Sequence, residues 1–115
     1  MKIIKEKITL QELSEMSEKM FNSLVKAVID IEKEIMVVDA ELHADEYSFL
    51  IENGSNPKDL WGINLYPEKK DDEFVEFDSL INLRPSHGNK SRGVESKDIQ
   101  EKIKKIVFKK FNYGL

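Results

Sequence analysis

The stretch LVKAVIDIEKEIMVVDAEL, residues 24–42, holds two β-branched runs, 24–31 and 35–42, on either side of a charged Glu-Lys-Glu. Val- and Ile-rich runs of this length with a polar break between them read as the two strands of an antiparallel hairpin. With Lys33 and Glu34 as a two-residue loop, facing residues have numbers adding to 67. Ile31 then meets Met36, Ile29 meets Val38, Ala27 meets Ala40 and Val25 meets Leu42, and all of these pairs are apolar. The other face pairs Val28 with Asp39 and Lys26 with Glu41. Because side chains alternate along a strand, a slip by one residue would mix the two sets, so the pattern argues for this parity. The loop lacks the Gly or Asn that two-residue turns favour, and a longer loop of the same parity preserves the same faces.

Working outward, IIKEKI before this hairpin reads as a short opening strand, and Thr9 begins a helix. Thr9 and Glu12 have capping-box spacing, and Leu10, Leu13, Met16 or Ser17, and Met20 recur at helical spacing, with Phe21 extending the stripe. After the hairpin, HADEYSFLIENG reads as a short helix with Asp45 and Glu46 in its first turn and Gly54 at its end. LWGINLYP is a strand stopped by Pro67, EKKDDE a solvated loop, and FVEFDSLINL a longer strand. One parity of these strands is apolar: Trp61, Ile63 and Leu65, then Val75, Phe77, Ile81 and Leu83. The last helix starts at Ser96 as N-cap and buries Ile99, Ile103, Ile106, Val107 and Phe111, leaving lysines outside. The order is β-α-β-β-α-β-β-α. It predicts an α+β fold: a two-layer sandwich in which helices cover one face of a mainly antiparallel sheet.

Length and composition agree with that picture. A chain of 115 residues is sized for a single α+β domain, residues 1–115, with one hydrophobic core. No apolar run reaches the ~20 residues that span a bilayer, so no membrane partner is expected. The charged start MKIIKEKITLQEL lacks a signal-peptide core, and the chain has no cysteine. Both fit a cytoplasmic protein without disulfides or thiolate metal sites. The net charge of −4 is unevenly spread: residues 82–115 carry nine Lys/Arg against three Asp/Glu, and residues 1–81 carry −10. A basic end of this kind either packs beside acidic segments or draws an anionic ligand. The acidic pI of about 5.3 disfavours general nucleic-acid binding.

Two segments carry candidate chemistry. RPSHGNKSRG, residues 84–93, follows a strand, precedes a helix and gathers two arginines, a lysine, a histidine and two glycines. Gly88 and Gly93 have Walker A spacing, but Val94-Glu95 stands where Lys-Ser/Thr would hold phosphates and metal, so the P-loop reading fails. A looser anion site survives, in which backbone N–H groups and the Arg84, Lys90 and Arg92 side chains bind an anion. The plain alternative is a structural loop, with Arg84 paired to Asp78 or Glu76 and with Asn89 and Ser91 making side-chain turns. The second segment is DAELHADE. In an extended strand Asp39, Glu41 and His43 share one face, in a pattern that suits a divalent metal or a general acid/base pair. One imidazole among acids is a weak metal signature, and His43 followed by Asp45 also reads as a helix entry.

ELHAD, DLWGINLYP and RPSHGNKSRGV, read together, resemble a family of small prokaryotic single-domain proteins of unknown function with ELHAD, DLWGINLYP and RPxxGNxSRxV motifs. The resemblance covers nearly the whole chain. It implies a single domain and directs attention to Glu41, His43, Asp45, Asp59, Asn64, Asp78, Asn82, Arg84, Asn89, Ser91 and Arg92. The chain departs from the family pattern at Glu34 and at Asp39-Ala40, where the resemblance leads one to expect glycine.

Three functional readings follow. The preferred one is a binding domain that holds a small anionic, phosphate-containing ligand near Arg84, Asn89, Ser91 and Arg92, with Asn64, Asp78 and Asn82 on the same polar parity. The second is a small metal-assisted phosphoester hydrolase, with Glu41, His43 and Asp45 as catalytic groups positioning water or metal. The third is an interaction module whose open sheet face supports a homodimer. All depend on whether His43 and Arg92 come to the same side of the molecule.

Overall fold

The computed structural model describes residues 1–20 and 23–111. Its elements are β1 (Lys2–Ile4), α1 (Leu10–Met20), β2 (Val25–Asp30), β3 (Ile35–Val38), α2 (His43–Glu52), β4 (Leu60–Leu65), β5 (Val75–Glu76) and α3 (Lys97–Lys110). The fold is α+β, in the element order expected. The five strands form one sheet in the order β1-β3-β2-β4-β5, with every pairing antiparallel.

The hairpin keeps the expected parity and shifts its register by two residues. Val28 pairs with Val37, Ile29 with Met36 and Asp30 with Ile35, joined by a four-residue turn over 31–34. Asp30 is the physical reason. One of its carboxylate oxygens accepts the backbone N–H groups of Glu32 and Lys33, both at 2.9 Å, and the other accepts the Ser55 hydroxyl at 2.6 Å. The side chain thus builds the turn from inside and widens it to four residues. Glu34 closes it with φ of 57°, and Asp39 leaves β3 with φ of 70°.

The disposition of the helices departs from the two-layer expectation. Val25, Ala27, Ile29, Met36, Val38, Trp61, Ile63 and Leu65 form one core with Leu13 and Met16 of α1 and Ile103, Ile106 and Val107 of α3. The opposite parity, Val28, Val37 and Leu60, packs on Leu50 of α2. Helices therefore cover both faces, α1 and α3 on one and α2 on the other. Strands buried on both sides carry near-continuous apolar runs, as IMVV does. At α1, Thr9 and Glu12 cap each other reciprocally, with Glu12 N–H to Thr9 Oγ1 at 3.0 Å and Thr9 N–H to Glu12 Oε1 at 3.2 Å. Phe21, placed on the α1 stripe by its spacing, lies outside the described residues.

The segment FVEFDSLINL is the second departure. Only Val75–Glu76 is strand, and the chain then turns at Leu80–Asn82. Ser79 Oγ accepts the Ile81 N–H, starting that turn. The Asn82 amide then takes the place of the missing strand, accepting Gly62 N–H at 2.8 Å and donating to Gly62 C=O at 2.9 Å. A side chain here satisfies the edge of β4 where backbone was expected. Gly62 permits the approach: a Cβ at that position would lie 2.6 Å from the Ser79 Cβ.

The two ends of the described chain are clasped together. Ile8 N–H donates to Lys110 C=O, Lys7 Nζ to Lys109 C=O and Lys110 Nζ to Lys5 C=O, each at 2.9 Å.

Candidate functional site

The loop 84–93 is built largely by Asn89. This buried side chain donates to the carbonyls of Asn82, Ser91 and Gly93 and accepts Glu95 N–H, while the backbones of Arg84 and Asn89 exchange two hydrogen bonds. Asn82 adds a bond to Arg92 C=O at 2.9 Å, and Ser91 Oγ accepts Gly93 N–H. Asn89 and Ser91 therefore spend their polar atoms on the loop itself, and Asn82 divides its amide between β4 and the loop. The bonds leave two arginines on the loop, and it presents them in different directions.

Arg84 faces the first core. Its guanidinium carbon sits 4.2 Å from the centre of the Trp61 ring, Nη1 donates to Lys58 C=O at 3.1 Å, and Nη2 donates to Leu60 C=O. It is half-buried, and desolvation lowers its pKa. Two concavities flank it. A cleft of about 360 Å³ has Lys58, Trp61, Arg84, His87, Ser96 and Ile99 in its wall. Ser96 is the N-cap of α3, its Oγ accepting Ile99 N–H at 3.3 Å, so the positive end of a fourteen-residue helix opens at this cleft. Glu95 also reaches the wall, where its carboxylate accepts Lys90 N–H. The Trp61 indole N–H is buried with no hydrogen-bond partner among the described residues. On the other side of Arg84 a groove of about 500 Å³ shares Lys58, Arg84 and His87 and adds Tyr47, Ile81 and Leu83.

Arg92 turns to the α2 side, where Nε donates to Asp78 Oδ1 at 2.8 Å. Both lie close enough to His43 to act on its charge. His43 opens α2, and its Nε2 lies 2.7 Å from Ile63 C=O. A carbonyl can only accept, so Nε2 carries the proton and Nδ1 keeps the lone pair. Burial lowers the pKa of this imidazole. Lys26 and Asn64 face each other on the same side of the sheet, and Asn64 Nδ2 donates to Glu76 at 2.9 Å and, more weakly, to Asp78 C=O. Tyr66 donates its hydroxyl to the same Glu76 oxygen, and burial and that bond raise its pKa to about 12.

The structure thus gathers His43, Asn64, Asp78 and Arg92 on one face and puts Arg84 on another side. Glu41 and Asp45 join neither set: both are exposed and line a separate shallow depression with Met1 and Ser48. Among the described residues no three His, Asp or Glu side chains cluster as metal ligands. Two contributors were hidden from the sequence. His87 and Lys58 reach the Arg84 clefts through 3₁₀ turns started by Pro85 and Pro57, and those prolines were their signal. Glu46, expected at the exposed start of α2, is instead fully buried, and desolvation outweighs the backbone of Ala40 and the charge of Lys26 to raise its pKa to about 10. Its i,i+4 spacing to Leu50 on the buried stripe was the trace of this.

A family model matches residues 2–110. The chain belongs to DUF5674, a family of proteins of unknown function. No curated protein and no solved structure matches it. In this DUF5674 member, no helix among the described residues is long and apolar enough to cross a membrane.

Proposed function

We propose that this DUF5674 chain is a binding domain for a small anionic ligand, and that the ligand sits in the cleft beside Arg84. One observation carries the reading. Arg84 is held rigidly against Trp61 and two backbone carbonyls, with Lys58, His87 and the start of α3 around the same 360 Å³ space. Two N–H groups of the guanidinium are committed, and its remaining donors keep a fixed fork suited to phosphate or carboxylate oxygens. Asp59, 4.0 Å from the Lys58 ammonium, and Glu95, which stays charged while accepting Lys90 N–H, oppose an anion here and favour one that Arg84 holds in its fork. Relative to the sequence-based site, Arg84 remains, Asn89 shapes the wall, and Ser91 and Arg92 drop out.

Thermal denaturation with inorganic phosphate and simple phosphomonoesters tests this. Saturating ligand at one hundred times its Kd stabilises the fold by about 2.7 kcal/mol. Lys58→Gln and His87→Gln, both at exposed positions, should weaken the shift without changing the ligand-free midpoint. A midpoint indifferent to all anions sinks the proposal. The hydrolase reading draws on a different observation, the approach of His43 to the Asp78–Arg92 pair; in that case His43 Nδ1 is the base, without Glu41 or Asp45.

A further inference from the structure

We infer that the ligand is an amphipathic anion, with its head on Arg84 and an unbranched apolar tail in the adjoining groove. The inference rests on the anion reading and goes beyond it by naming the chemical class. The two concavities share Lys58, Arg84 and His87, so a molecule seated on the two cations, Lys58 and Arg84, meets both. The groove side is walled by Tyr47, Pro57, Ile81, Leu83 and Pro85, which offer carbon surface. Leu83 is 45% exposed, and the neighbouring Leu80, 67% exposed, is the most exposed large apolar side chain among the described residues. Both stand on the turn that Ser79 and Asn82 force out of the sheet, so the fold actively presents them to solvent. Cations flanked by an apolar wall complement a negative head that carries hydrocarbon, whereas a bare ion would leave the wall unused. The site is concave, and the occupant is a single soluble molecule rather than a lipid surface.

A series of monomeric n-alkyl phosphates from ethyl to octyl, measured by calorimetry on the whole chain, tests the inference. Affinity should rise about three- to four-fold per methylene until the groove is filled. Leu83→Asn should flatten the rise of affinity with chain length, and Lys58→Gln should weaken all members alike. Phosphate binding with a flat series overturns the tail and leaves the anion site standing. No binding by any member, phosphate included, overturns both. Binding to vesicles of anionic phospholipid in preference to the monomeric probes also overturns the inference.

Discussion

Glu34 and Asp39 hold left-handed backbone, with φ of 57° and 70°, at the places where the family resemblance leads one to expect glycine. Left-handed conformation costs a residue with a Cβ about 1–2 kcal/mol. Glu34→Gly and Asp39→Gly should therefore each raise unfolding free energy by about 1 kcal/mol in urea melts; a loss of stability would show that their side chains matter more than the strain. Glu46 makes a pH prediction. In the fold its carboxyl keeps its proton up to about 10, while in the unfolded chain it releases it near 4.5. The contribution is therefore fully present below the lower value and declines by about 1.4 kcal/mol per pH unit between the two. Glu46→Gln removes that decline, so its advantage over the parent should widen from pH 5 to pH 9. A constant difference across this range would mean the carboxyl is not buried as described. Apart from its i,i+4 spacing to Leu50, an acid in the first turn of a helix does not announce such burial, because first-turn acids are ordinarily exposed and favoured there by the helix dipole.

At the scale of elements, periodicity carried the reading as far as backbone pairing does. The capping box of α1, the Ser96 cap and the hairpin parity were legible because each follows from local spacing. Register and strand length were not, since side chains from other elements decide them. Asp30 stretches the hairpin turn through Ser55, and Asn82 replaces a strand along β4. Asn82→Ala should cost about 3 kcal/mol, because it leaves both polar groups of Gly62 without their partner. Gly62→Ala should cost about 1–3 kcal/mol through collision with Ser79. Chemical denaturation measures both, and a neutral Asn82→Ala would mean backbone can reoccupy that edge. The same detour explains the site: it carries Arg84 away from Asp78, undoing the polar parity the two were expected to share.

For the whole molecule, α+β class and an antiparallel sheet were readable from alternation, but the number of layers was not. The hairpin's second parity is mixed, Val28 and Val37 standing beside Lys26 and Asp30, and only the packing of Leu50 against Val28 and Val37 tells which helix claims that face. β2 lies between β3 and β4 and beneath helices on both sides. Its central amides, Ala27 to Ile29, should exchange hydrogen most slowly, and those of the edge strands β1 and β5 fastest. Equal protection across the sheet would contradict this layering. The convergence of His43 with Arg92 required tertiary structure, since forty-nine positions separate them and no local rule relates them.

The clasp between residues 5–8 and 109–110 has a consequence for how the protein is made. Its three hydrogen bonds join groups more than a hundred positions apart. A nascent polypeptide cannot form them until Lys110 has cleared the ribosomal exit tunnel. The hairpin and its neighbours are translated before α3, so the Ile29–Met36 side of the sheet goes without that helix's cover until residues 97–110 have emerged.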